Sequence, residues 1–272
     1  MMNALQKLNE RFKNGFHICV GLDTDITKIP KHLLKNSNPV EEFNKIIIDN
    51  THRHAAAYKI NFAFYEKDGS KGFDNIHRIL EYLKNLPCLI IADAKRGDIG
   101  NTSLMYAQSV FDHFGFDAVT LHPYMGFDSI EPFLNYQDKL NFILALTSNP
   151  GSADFEKQML ADNTFLYQKV ISKVLKWNNL KNCGIVFGAT NLNELQDNIN
   201  SFGELPVLLP GVGSQGGDLN EVVSVFNSVN NRNFLINVSR ALIYSDGSEN
   251  FGRKAYEYIS FMNDSVAGII SK

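Results

Sequence analysis

Eight short apolar segments recur along the chain: "HICVGLD" (17–23), "AAYKINFAF" (56–64), "CLIIADAK" (88–95), "AVTLHPY" (118–124), "FILALTS" (142–148), "CGIVFGA" (183–189), "PVLLPGVG" (206–213) and "FLINVSRAL" (234–242). Their length and β-branched content predict strands. Between them, stretches such as "VEEFNKIIIDNTHRHA", "NIHRILEYLKN", "NTSLMYAQSVFDHF" and "LNEVVSVFNSV" bring apolar residues back every three or four positions, which predicts helices. Strand and helix in alternation imply parallel pairing through right-handed crossovers, and strands apolar along their whole length imply a sheet covered on both faces. Eight such units predict an α/β fold, a closed (β/α)8 TIM barrel. An open doubly wound sheet is the alternative, but "GLDTDITKIP" after the first strand lacks its GxGxxG turn. The 272 residues suit one barrel of about 250 residues, so a single domain over 1–272 is expected. Within 151–181, "FLYQKVISKVLKW" has helical spacing and predicts an extra helix before the sixth strand.

The first residues, "MMNALQKLNERFKNGF", predict an amphipathic helix, and Lys7, Glu10, Arg11 and Lys13 break the apolar run that a secretory signal needs. No segment approaches the ~20 apolar residues of a membrane helix. With 26 basic against 29 acidic residues the formal charge is −3, which argues against an electrostatic grip on nucleic acid or membrane. The expected partner is a small molecule or a protein. Cys19, Cys88 and Cys183 are odd in number and lack CxxC spacing, so neither a disulfide framework nor a zinc site is expected. Reduced, buried thiols and a cytoplasmic location follow.

In a (β/α)8 barrel the loops after the strands build the active site. Here the strand ends carry Asp23, Lys59 with Asn61, Asp93 with Lys95, His122, Thr147 with Ser148, Thr190, a glycine-rich turn, and Ser239 with Arg240. Polar residues belong wherever strands meet solvent, but their agreement on one rim points to a site. Asp93 and Lys95 are two apart, so a regular strand sends both side chains to the same side. Neighbouring carboxylates keep the lysine charged against the pull of burial. An ordinary buried ion pair is the alternative, and desolvation makes such a pair a poor source of stability. Arg96 faces the other way and is expected to pair at the surface. Gly97 breaks the strand, leaving Asp98 as the expected N-terminal residue of the next helix, where the dipole favours a carboxylate.

The turn "LLPGVGSQGGD" (208–218) follows strand seven, and its glycines would let backbone N–H groups approach an anion. It lacks the GK[ST] ending of a Walker A loop. Its place, with Arg240 after strand eight, matches the frequent phosphate position of these barrels, and an arginine grips phosphate through two parallel hydrogen bonds. A phosphorylated ligand is therefore expected. The seven histidines form no HExxH or similar spacing, so no metal site is expected, and no GxSxG nucleophile elbow occurs either. His122 reads as a packing or hydrogen-bonding residue, and Phe62, Phe64 and Tyr65 as packing against helices.

These residues together resemble a known family. "ADAKRGDIGNTS" is similar to the D-x-K-x-x-D-I signature of the orotidine 5'-phosphate decarboxylases, in particular a bacterial subgroup with DAKRGDIG, and "GLDTD", "YKIN", "HPYMG", "ALTSNPG", "PGVGSQGGD" and "NVSRAL" support it in order. The resemblance implies a (β/α)8 homodimer with shared active sites that converts orotidine 5'-monophosphate to UMP and carbon dioxide, closing de novo UMP synthesis without metal or cofactor. It implies Lys95 as proton donor to C6 of the pyrimidine, flanked by Asp93 and by Asp98 from the other subunit, with Thr102 crossing alongside and Lys59 completing the charge network. Asp23 would contact the ribose and Thr147 or Ser148 the base. Gln215 with Arg240 would hold the phosphate, and Pro210, Gly211 and Ser239 would also bind substrate. A D-x-K-x-x-D core also occurs in sugar-phosphate lyases of the same superfamily, so a metal-dependent sugar-phosphate decarboxylase or aldolase is a second reading. A third is a barrel that binds nucleotide without turnover.

Overall fold

Eight parallel strands close into a barrel in the computed structural model, which describes residues 2–213 and 216–271. They are β1 (Ile18–Gly21), β2 (Ala57–Asn61), β3 (Leu89–Arg96), β4 (Ala118–Leu121), β5 (Leu140–Leu146), β6 (Cys183–Phe187), β7 (Val207–Pro210) and β8 (Phe234–Val238). Each strand pairs with its neighbours in sequence, and β8 closes on β1 with Cys19 opposite Asn237. All eight expected strands are present, shortened where their polar ends turn into loops. The expected "AAYKINFAF" strand stops at Asn61, because Asn61 Oδ1 takes the N–H of Ala63 and starts a short helix.

The helices are α1 (Ala4–Lys13), α2 (Pro39–Thr51), α3 (Ala63–Glu66), α4 (Ser70–Leu83), α5 (Gly100–Gln108), α6 (Phe127–Leu134), α7 (Leu166–Trp177), α8 (Leu192–Asn198), α9 (Leu219–Ser228), α10 (Arg240–Ile243) and α11 (Phe251–Ile270). The extra helix expected within 151–181 is α7, whose Tyr167, Ile171 and Val174 face inward at helical spacing. Asp98 does not head α5: the helix begins two residues later behind Ile99, and the Asp98 carboxylate instead accepts the N–H of Ile99 at 2.8 Å. Among the described residues no helix is long and apolar enough to cross a membrane.

Two apolar layers follow from the period-two geometry of the strands. Outward residues such as Val20, Tyr58, Ile90 and Ile236 pack under the helices. Inward residues such as Cys19, Ala57, Leu89, Ile91 and Leu235 fill the barrel. The lower mouth is closed by α1, whose Ala4, Leu8 and Phe12 join that inner layer. Its polar face ties to the strand starts, with Lys7 Nζ 2.8 Å from Asp117 Oδ2 and Arg11 Nε donating to Ala55 O at 2.9 Å. The three cysteines are buried and unpaired.

Candidate active site

Inward positions turn from apolar to charged as each strand climbs. On β2 the sequence of inward residues is Ala57, Lys59, Asn61; on β3 it is Leu89, Ile91, Asp93; on β8 it is Leu235, Asn237. The period of two therefore delivers a ring of polar groups to the upper mouth, above an apolar barrel. There they surround a cavity of about 320 Å³. Asp23, Lys59, Asn61, Asp93, Lys95 and Thr120 line one side. Thr147, Ser148, Asn149, Pro210 and Asn237 line the other, with Leu144, Val186 and Leu208 as apolar wall.

The charges alternate. Asp93 is nearly buried and divides its oxygens: Oδ2 accepts from Lys59 Nζ at 2.8 Å and Oδ1 from Lys95 Nζ at 2.5 Å. Lys59 also lies 3.7 Å from Asp23 Oδ1, a buried oxygen without a hydrogen-bond donor among the described residues. Burial alone would push the Asp93 carboxyl up, but the Lys59 and Lys95 ammonium groups outweigh it and hold the group far below the usual carboxylate range. Burial likewise pulls on Lys59, yet Asp23 and Asp93 raise its pKa and keep it charged. The Cys19 thiol beneath them is pushed up by burial, so it stays protonated. The result is a fixed row of opposite charges at one wall, of which Lys95 is half exposed to the cavity.

Asp93 and Lys95 do meet, but not by the alternation of a regular strand. The β3 ladder pairs Ala92 with Val119 and then Arg96 with Leu121, so residues 93, 94 and 95 stand opposite Thr120 alone. Lys95 sits in the left-handed region at φ 46°, which few non-glycine residues adopt. Arg96 is turned away, as expected, and pairs with Glu66 beneath the rings of Phe62 and Tyr106. Gly97 passes 3.1 Å, measured to where a Cβ would be, from the carbonyl of His122, itself exposed at the end of β4.

Thr147 is held by a residue that sequence reasoning did not single out. Glu156 accepts the Thr147 N–H at 2.6 Å and its hydroxyl at 3.0 Å, fixing the end of β5. The Ser148 carbonyl accepts from Thr190 Oγ1 at 3.1 Å. Gly188 allows this close packing, because a Cβ there would lie 2.7 Å from Ser148 Cα. Neither Glu156 nor Thr120 stands out in the sequence: one lies in an irregular segment, the other in mid-strand. Asn61, Asn149 and Asn237 also reach the cavity.

The remaining expected residues are placed as follows. Pro210 lines the cavity, Gly211 follows it at φ 103°, and Ser239 Oγ donates to Gly21 O at 3.1 Å. Arg240 begins α10 and is exposed. Gln215 lies outside the described residues. The idea that the loop's amides face an anion needs correction for three of them: Gly213, Gly216 and Gly217 donate within the loop, to Gly217, Gly213 and Gly211. Asp98 and Thr102 stand apart from the lining of their own chain's cavity. Among the described residues no three His, Cys, Asp or Glu side chains converge on a metal position.

A (β/α)8 barrel whose lysine–aspartate row crosses the carboxyl ends of its strands has its charged site where barrel enzymes carry their active sites. Residues 17–255 match the Orotidine 5'-phosphate decarboxylase / HUMPS family. The orotidine 5'-phosphate decarboxylase of Christiangramia forsetii is 46% identical over 270 residues, covering 98% of each chain. That of Porphyromonas gingivalis is 47% identical over 240 residues, 88% of this chain and 87% of the relative. Among solved structures, Leishmania donovani OMP decarboxylase superposes with a TM-score of 0.84 at 34% identity, covering 98% of this chain and all (100%) of that one. The chain belongs to the orotidine 5'-phosphate decarboxylase / HUMPS family.

Proposed function

We propose that the chain is an orotidine 5'-phosphate decarboxylase, converting orotidine 5'-monophosphate to UMP and carbon dioxide in the last step of de novo UMP synthesis. The observation that carries the reading is the single carboxylate of Asp93 shared between Lys59 and Lys95 at the cavity wall. Loss of carbon dioxide from the pyrimidine leaves an electron pair on C6. A fixed ammonium beside that carbon stabilises the pair as it develops and then gives it a proton, so Lys95 leaves the step neutral and recovers its proton from solvent. Asp93 holds Lys95 in place, and beside the substrate carboxylate it adds repulsion that departure of carbon dioxide relieves. Asp23 contacts the ribose, Lys59 completes the charge row, Thr147 or Ser148 contacts the base, and Gln215 with Arg240 holds the phosphate, with Pro210, Gly211 and Ser239 also binding substrate. Binding energy from that remote phosphate is then available at the reacting carbon. Neither metal nor cofactor takes part.

The enzyme works as a homodimer in the cytoplasm, each site completed by Asp98 and Thr102 of the partner. Two observations support the pairing. Both residues stand outside the cavity of their own chain. Around them Ile99, Met105, Tyr124, Met125 and Phe155 are large apolar side chains about half exposed or more, a density that marks an interaction face. Next to it, Tyr124, Phe155 and Tyr167 border a mainly apolar cavity of about 550 Å³.

The test adds orotidine 5'-monophosphate to purified protein with and without EDTA and follows loss of the substrate's ultraviolet absorbance. Turnover unaffected by EDTA is expected, and Lys95→Ala should abolish it while still binding UMP. No turnover would sink the reading, and turnover lost to EDTA would transfer it to the metal-dependent lyases.

A further inference from the structure

We infer that Thr120 is a positioning residue for the proton donor: its one hydroxyl ties the Lys95 backbone amide to the same carboxylate oxygen that holds the Lys95 ammonium. The inference rests on the decarboxylase reading and deepens it. The bulge in β3 sets residues 93, 94 and 95 against Thr120 alone, so the ladder has no partner carbonyl for each of their N–H groups. Thr120 Oγ1 takes the place of one, accepting the Lys95 N–H at 3.1 Å. The same hydroxyl donates its proton to Asp93 Oδ1 at 3.0 Å. Asp93 Oδ1 in turn accepts from Lys95 Nζ at 2.5 Å. The bonds close a ring that runs from the Lys95 amide through Thr120 and Asp93 to the Lys95 ammonium.

Three features make the ring more than packing. Thr120 is buried yet lines the cavity, so its hydroxyl is committed where the chemistry occurs. Lys95 holds a left-handed backbone, which persists in a non-glycine residue only where its surroundings over-determine it. The hydroxyl donates its only proton to Asp93, so its lone pair is aimed at Lys95, and both bonds are needed at once. Without them the lysine is free to choose other rotamers, and an ångström of misplacement is costly for a group that must meet a single carbon. The Thr120 hydroxyl is committed to Lys95 and Asp93, so its effect falls on the rate of the step rather than on binding.

The experiment compares wild type, Thr120→Val and Thr120→Ser in turnover and in UMP affinity, with thermal melting as a check on folding. Valine keeps the shape and removes the hydroxyl; serine keeps the hydroxyl. Hydrogen bonds to charged groups contribute about 1.5–3 kcal/mol, which converts to a fall in kcat of about 10- to 150-fold for valine, with UMP affinity within about threefold of wild type. Serine should recover most of kcat. A valine variant that folds and keeps wild-type kcat overturns the inference, as does one that loses UMP affinity in step with kcat. If valine does not fold, Thr120→Cys serves in its place: a weaker hydrogen-bonding group should lower kcat, and full activity there overturns the inference equally. A wild type without turnover would instead overturn the decarboxylase reading.

Discussion

His17 sits at the lower end of the barrel, sandwiched between Phe12 and Phe234 at ring distances of 4.8 and 4.2 Å, with Nδ1–H donating to Phe234 O at 3.0 Å. Burial holds it neutral and lowers its pKa from 6.5 to about 4. The unfolded chain therefore takes up a proton near pH 6.5 that the folded chain refuses until about pH 4. Stability is full above that window and falls as pH drops through it, by about 1.4 kcal/mol per unit and up to about 3 kcal/mol in all. Asp93 acts lower down. Its folded value is depressed, so its contribution holds above the unfolded value of about 3.9 and fades only as pH falls beneath it. Urea midpoints at pH 7 and pH 4.5 should thus fall together steeply for wild type and less for His17→Phe, which keeps the stack; equal slopes would refute the assignment to His17. At this scale the sequence is a partial guide. Charged residues at strand ends declare themselves, but Thr120 and Glu156 matter through partners 25 and nine positions away, and nothing in a linear pattern marks them.

Elements were more legible, because amphipathic period reports on burial directly. All eight strands and α1, α2, α4, α5, α7 and α9 follow from it. What period cannot report is departure from regularity. Parity foresees Asp93 beside Lys95 for a flat strand, whereas the structure reaches the same neighbourhood through a bulge and a left-handed residue. Close approach between strands is likewise invisible until the partner is known. A Cβ at Gly188 would meet Ser148 Cα and N at 2.7 Å, forcing the end of β5 away from β6. Overpacking of that kind costs about 1–3 kcal/mol, so Gly188→Ala should keep the barrel fold by circular dichroism while lowering kcat/KM about tenfold or more. Unchanged kcat/KM would mean the 147–149 segment tolerates the shift.

For the whole molecule, the shared-site proposal makes an arithmetic prediction. Lys95→Ala chains supply Asp98 and Asp98→Ala chains supply Lys95. Mixed one to one and allowed to exchange, half the dimers are hybrids with one of two sites intact, so about a quarter of wild-type activity should return. Stable hybrids with no recovered activity would place Asp98 in its own chain's site. The proposed pairing surface is not legible in the sequence: Met105 and Tyr124 lie in stretches that read as helix and strand, and their exposure emerges only from the structure.

The closed order of strands also sets when the site comes into being. Its wall draws on β1 through Asp23, on β2 through Lys59 and on β8 through Asn237, and the seam between first and last strand is sealed by Ser239 donating to Gly21 across 218 residues of chain. Contacts of that sequence separation form late, since the loop between them must first be closed. The charge row itself stands on the consecutive strands β1 to β3, but the wall facing it, with Pro210 and Asn237, comes from β7 and β8. Recovery of activity during refolding is therefore a clock for the closing of the seam, started only when the chain's two ends have found each other.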